Sequence, residues 1–216
     1  MSGRSAMTIA HHPSDTTLAA FAAGQLDAGR SLVVSVHLDG CAGCRRAVRA
    51  FEGLGGVALE DAEASPLSAG ALDRALSAIA SDRPQPNGAE RERSEWPAPL
   101  SSYPLGPWRQ LGGSVQLREV QVPSDRGTRI FMLKAAPGTR IPVHAHAGFE
   151  WTCVLQGAFR HQLGHYGSGD FDEADDEIEH RVIVEEGMDC VCLVALQGQI
   201  KFKSFLGRVI QPFVRL

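Results

Sequence analysis

The stretch His37-Leu38-Asp39-Gly40-Cys41-Ala42-Gly43-Cys44 places an imidazole and two thiols within eight residues, spaced H-x-x-x-C-x-x-C. On one continuous helix, positions i, i+4 and i+7 share a face. If the helix breaks at Gly40 instead, Cys41 and Cys44 fall on the first turn of the next helix, whose positive end favours thiolate. Either arrangement offers three of the four ligands of a tetrahedral Zn²⁺. A fourth stands upstream in His12 or its neighbour His11, which spacing alone does not separate. A redox C-x-x-C would follow a strand in a βαβ pattern. No such strand precedes this one, so a metal is the preferred reading, ahead of two merely buried cysteines.

A second donor set lies in the C-terminal half. Gly138, His144, His146, Glu150 and Gly157 fit G-x₅-H-x-H-x₃-E-x₆-G, the first cupin motif, at every position. His144 and His146 alternate to one face of a strand, and Glu150 has the same parity. The segment Gly169-Asp170 through His180 has the spacing of the second cupin motif. Its Pro, Gly and Asn are replaced by Asp175, Glu177 and Val184, so His180 is the less securely placed fourth ligand. Three His and one Glu form a harder site than two Cys and two His, suited to Zn²⁺, Fe²⁺ or Mn²⁺. Cys190 and Cys192 share one face of a strand and read as core. Cys153 has parity opposite to Glu150. His161 and His165 read as surface residues, and the acidic run from Asp172 to Glu179 as a solvated loop.

The elements that must carry these groups divide the chain. In residues 1–82, Ser14 can cap a helix over 15–23. Residues 28–38 give a second helix. A third starts near Cys41 and is expected to stop at Gly55-Gly56. Ser65-Pro66 opens a fourth, with Leu72, Leu76 and Ile79 at i, i+4 and i+7. Helices this short make a thin core that a metal staple would reinforce. Residues 83–110 are rich in Pro, Ser and charge and read as a linker, with Trp96, Tyr103 and Trp108 covering the edge of the next domain. From residue 111 the pattern becomes many short strands: 115–120, 128–133, 149–156, 158–163, 178–184, 189–196 and 199–205. Such strands with regular turn signals predict a β-barrel or jelly roll. The fold class is thus multi-domain α plus β: a helical zinc-binding bundle (1–82), a linker (83–110) and a cupin barrel (111–216).

Composition narrows the function. The chain has 216 residues, a net charge of −4 and 44% hydrophobic residues. Residues 1–82 hold six Arg, no Lys and nine acidic residues, so no basic surface invites nucleic acid. Five cysteines, two of them in a metal-type motif, argue for a reducing compartment. No apolar run has transmembrane length and no signal-peptide pattern is present, which points to the cytoplasm.

The H-x-x-x-C-x-x-C with an upstream His, in a short helical N-terminal domain, resembles the zinc-binding domain of bacterial anti-sigma factors. Joined to a cupin with three His and one Glu, it is similar to the ChrR family of cytoplasmic anti-sigma factors. The resemblance covers nearly the whole chain and includes Cys190-Val191-Cys192. It implies zinc ligands at His12, His37, Cys41 and Cys44, and metal ligands at His144, His146, Glu150 and His180. It also implies an ECF-type sigma factor as partner, released under singlet oxygen or organic peroxides through the cupin domain. The rival is a cupin enzyme, a dioxygenase or isomerase with a helical adaptor. A metal or redox sensor with another protein partner is the third reading.

Overall fold

The computed structural model describes residues 9–81, 96–123, 127–142, 144–146, 148–174, 181–198 and 200–202, with backbone alone for 144–146 and 200–202. Four helices come first: α1 (Asp15–Ala22), α2 (Ala28–Gly40), α3 (Ala42–Glu60) and α4 (Ala71–Ser81). Ser14 caps α1 by accepting the Thr17 N–H, as its sequence predicts. Asp27 caps α2 in the same way by accepting the Arg30 N–H at 2.8 Å.

Two helix boundaries differ from expectation. α3 runs through Gly55-Gly56 to Glu60. Glycine inside a helix is a cost of about 1 kcal/mol rather than a stop, and neither of these two adopts the left-handed conformation that ends a helix. α4 begins at Ala71, not after Ser65-Pro66. The Arg74 side chain instead holds Ser68 Oγ and the Ala69 carbonyl in a turn ahead of the helix.

Among the described residues, eleven strands come after the helices: β1 (Arg109–Gly112), β2 (Val115–Glu119), β3 (Arg129–Ala135), β4 (His144–His146), β5 (Glu150–Gln156), β6 (Ala158–His161), β7 (Gly164–Gly167), β8 (Phe171–Ala174), β9 (Ile183–Val184), β10 (Cys190–Leu196) and β11 (Ile200–Phe202). They form an antiparallel six-stranded sheet in the order β1-β2-β3-β10-β5-β8, a three-stranded sheet β7-β6-β9 and a pair β11-β4. The helices and this cupin-like β-structure bear out the expected fold class. β1, β7 and β8 were not anticipated. Residues 178–180 of the expected strand 178–184 lie outside the described residues, as does His180 itself.

β10, Cys-Val-Cys-Leu-Val-Ala-Leu, is buried along its whole length because the sheet is covered on both faces. Cys190, Cys192, Val194 and Leu196 face the barrel core with Val154, Phe159, Tyr166 and Val184. Val191, Leu193 and Ala195 face the other way, into a core shared with Leu32, Val33, Val36 and Val48 of the helices. α2 packs directly on β5 and β10. The short segment before β1 belongs to this same core: Leu100 is fully buried, and Trp96, Tyr103 and Trp108 pack against it, covering the sheet as expected.

Two side-chain contacts pin α2 to the sheet. Asp27 accepts a hydrogen bond from the Thr128 hydroxyl at 2.9 Å. The Arg30 guanidinium lies over the rings of Phe149 and Trp151, 4.9 and 5.5 Å from their centroids.

Gly157, the last glycine of the first cupin motif, has φ +71°, and a Cβ there would stand 2.5 Å from the Asp189 carbonyl oxygen. The motif requires glycine because the β5–β6 turn passes against the backbone at the start of β10.

Candidate metal centre

His37 sits in the last turn of α2 and is fully buried. The helix ends at Gly40, after which Cys41 takes an extended conformation and becomes the N-cap of α3. Its sulfur accepts the Cys44 N–H at 3.4 Å. The broken-helix arrangement is therefore the one adopted, with one sulfur at a helix N-terminus and the other in its first turn.

His12 comes in from the segment ahead of α1. Its Nδ1 is 3.5 Å from both Cys41 Sγ and Cys44 Sγ, and His37 Nε2 is 3.3 Å from Cys44 Sγ. One donor atom from each of the four residues lies within 4.8 Å of every other. A tetrahedral ion with Zn–S and Zn–N bonds of ordinary length has N···S edges of about 3.6 Å. The observed edges fit a tetrahedral cation. The structure also separates the two upstream histidines: His12 joins the cluster, while His11 stacks on Tyr166 with ring centroids 4.1 Å apart.

The surroundings prepare these atoms for a metal. His37 Nδ1 lies 2.8 Å from the Gly169 carbonyl oxygen. That oxygen can only accept, so Nδ1 carries the proton and Nε2 turns a lone pair toward the cysteines. Burial, helped by His12, keeps the imidazole neutral by lowering its pKa against the Gly169 bond. Burial and then the neighbouring Cys41 thiol push Cys44 up to about 12. A cation at this point removes the obstacle to ionising both sulfurs.

The barrel set begins on β4 and β5. His144 and His146 lie at register positions of β4 opposite Phe202 and Ile200. Glu150 begins β5, opposite Leu196 of β10 and Ala174 of β8. Its carboxyl is enveloped even though the residue keeps some exposure. Burial, with a smaller push from Asp172, raises it to about 8, against a hydrogen bond with Thr152. Among the described residues, the four donors of the helical site are the group that converges.

Around Glu150, two expectations are corrected. His161 is not a surface residue: its side chain is fully enclosed, and its Nε2 is 3.1 Å from Asp172 Oδ2. Asp172 is not part of a solvated loop but a buried residue of β8. Tyr166 stacks on His161 at 4.8 Å, and burial, then Asp172, hold its phenol in the protonated form. The signal for His161 was alternation: it shares the parity of the buried Phe159 on β6. His165 is exposed as expected, 2.8 Å from Glu185. Cys153 faces the helix-side core, and Cys190 and Cys192 are buried with sulfurs 3.7 Å apart.

Residues 105–200 match the family model described as the ChrR cupin-like domain. Over 97% of this chain and the full length of the relative, the sequence is 39% identical to the anti-sigma-E factor ChrR of Cereibacter sphaeroides. The chain belongs to the ChrR family of anti-sigma factors. The crystal structure of Rhodobacter sphaeroides SigE in complex with the anti-sigma ChrR is similar to this fold, with a TM-score of 0.74 and 36% identity. That match covers 88% of this chain and all of the matched chain. An anti-sigma factor is a regulator, so the cupin-enzyme reading of the barrel gives way. No helix among the described residues is long and apolar enough to cross a membrane.

Proposed function

We propose that this ChrR-family protein holds an ECF-type sigma factor inactive in the cytoplasm, with residues 1–82 as the gripping part and the barrel, residues 111–216, as the part that governs release. The observation that carries this reading is the unpartnered apolar face at the end of the helical region. α4 has no buried residue, and Leu72, Leu76 and Ile79 stand exposed. The last turns of α3 add Leu54, Val57 and Leu59. Apolar surface on this scale, set apart from both cores, marks a protein-binding face. The acidic balance of residues 1–82 disfavours nucleic acid there.

In the helical site, His12, His37, Cys41 and Cys44 would hold Zn²⁺, since two thiolates and two imidazoles suit that ion. A closed four-ligand site of this kind is structural: it ties the start of α1 to the α2–α3 junction. In the barrel, His144, His146, Glu150 and His180 would hold a second ion, Zn²⁺ by preference and Fe²⁺ or Mn²⁺ otherwise. Glu150, driven toward its neutral form by burial, is a group that a cation returns to the carboxylate. Singlet oxygen or an organic peroxide acting at the barrel would release the sigma factor.

Purification from the native host with metal analysis tests the reading. The expected result is a stoichiometric ECF sigma factor and two metal ions per chain. Alanine at His144, His146, Glu150 or His180 should block release while inhibition persists. Loss of inhibition in those variants would overturn this division of roles.

A further inference from the structure

The segment that brings His12 to the cysteines runs into α1 at Ser14, and the barrel holds it as well. Residues 9–14 run along β8, the edge strand of the six-stranded sheet, and cover its free edge. Asp170, buried in the turn before β8, makes the central contacts. Its Oδ1 accepts the N–H of Ala10 at 2.7 Å and of His11 at 3.0 Å, while Oδ2 accepts the Gly167 N–H at 2.8 Å. The Phe171 N–H donates to the His11 carbonyl at 3.1 Å, and Glu173 Oε2 accepts the Ser14 N–H at 3.4 Å. The neighbouring Gly169 is the residue whose carbonyl fixes the His37 ring. Gly169 has φ +92°, and a Cβ on it would meet Ile9 at 2.8 Å, so this turn and the N-terminal segment fit without slack.

We propose that Asp170 is the positioning residue of the helical metal site: by fixing the backbone of Ala10 and His11 it sets where His12 stands, and so gives the barrel control over how tightly the ion is held. The proposal rests on the reading of the four-donor cluster as a metal site. Asp170 does not touch the ion. It acts through the peptide units directly before His12, while Gly169 acts through His37, so two of the four ligands take their orientation from one barrel turn. On the inner side, β8 carries Asp172, which contacts His161 and lies close enough to Glu150 to raise it. A change around Glu150 therefore needs to shift only β8 to reach the ligands of the other site.

The test is the rate at which the full-length, zinc-loaded chain gives up its N-terminal ion to a chromophoric chelator, with the cobalt-loaded absorption spectrum as a second readout. Outer-shell partners typically change metal affinity 10–100-fold. Asp170→Ala should release the ion at least about tenfold faster and alter the cobalt spectrum. Asp170→Asn, which keeps one acceptor oxygen, should fall between it and wild type. Thr128→Val removes a different tie between helices and barrel, the bond to Asp27, and should release the ion within about twofold of wild type. Release from Asp170→Ala at the wild-type rate would overturn the proposal. So would equal acceleration by Thr128→Val, which would mean general loosening rather than positioning. A wild-type chain that takes up no ion at Cys41 and Cys44 would overturn the metal reading itself, and the proposal with it.

Discussion

His37 Nδ1 and the Gly169 carbonyl oxygen are 2.8 Å apart, so a ring that belongs to a helix is aimed at its metal position by a turn of the barrel. Loading that position should therefore be felt in both halves of the molecule. We expect slower amide hydrogen exchange on adding zinc not only in α2 and α3 but also at Ala10, His11 and Phe171. At a free-ion concentration a thousandfold above Kd the stabilisation limit is about 4 kcal/mol. Exchange mass spectrometry with and without metal reads this directly. Unchanged protection at Phe171 would separate the two halves.

Metal affinity should rise with pH. Burial and the Cys41 thiol hold Cys44 protonated up to about 12, so an entering ion must displace a proton from it. His37, lowered by burial, is already neutral near pH 7 and adds no competing proton. Between pH 6 and 8 the proton displaced from Cys44 should make the affinity climb by about one order of magnitude per pH unit. Competition titrations at several pH values measure the slope. A flat profile would exclude ligation by the two thiols.

Leu76→Glu on α4 should weaken sigma-factor binding by about 30-fold or more, the loss expected at a central apolar anchor. The side chain is 55% exposed in the chain alone, so its replacement should leave the unfolding free energy unchanged to within about 0.5 kcal/mol. Binding by titration and melting of the free chain together distinguish a docking face from a structural one.

Asp27→Ala should cost about 2 kcal/mol at neutral pH, from the lost cap of α2 and the stranded Thr128 hydroxyl. The cost should depend on pH in a defined direction. Burial would raise the Asp27 carboxyl, but the Arg30 N–H, the Thr128 hydroxyl and the Arg30 guanidinium outweigh it and lower the pKa. A carboxyl lowered in the folded state contributes stability above its ordinary value and loses it as pH falls through the lowered one. The wild-type advantage in urea should persist from pH 7 to about 5 and vanish in stronger acid.

Groups that follow local rules were readable from sequence. The Ser14 cap, the H-x-x-x-C-x-x-C cluster and Gly138-His144-His146-Glu150-Gly157 all depend on short spacings. β10 was legible because burial on two faces leaves a run of apolar residues. What depended on long-range contact was not. Asp172 looked solvated in its acidic run, and only pairing of β8 with β5 turns it toward Glu150. Asp170 was legible only as the residue after Gly169 at the start of the second cupin motif; its role was not, since its partners Ala10 and His11 are about 160 residues away along the chain. The choice of His12 over His11 was invisible for a related reason: Tyr166, on β7, takes the other ring.

α4 has eleven residues, none of them buried. A segment that short does not sustain a helix in water by propensity alone, because nucleation costs more than a few turns return. Without tertiary support of its own, α4 would gain stability from docking on the proposed partner. Under the proposed function, a proline in α4 on the face away from Leu72, Leu76 and Ile79 would shorten dwell time on the sigma factor without altering the residues proposed to touch it.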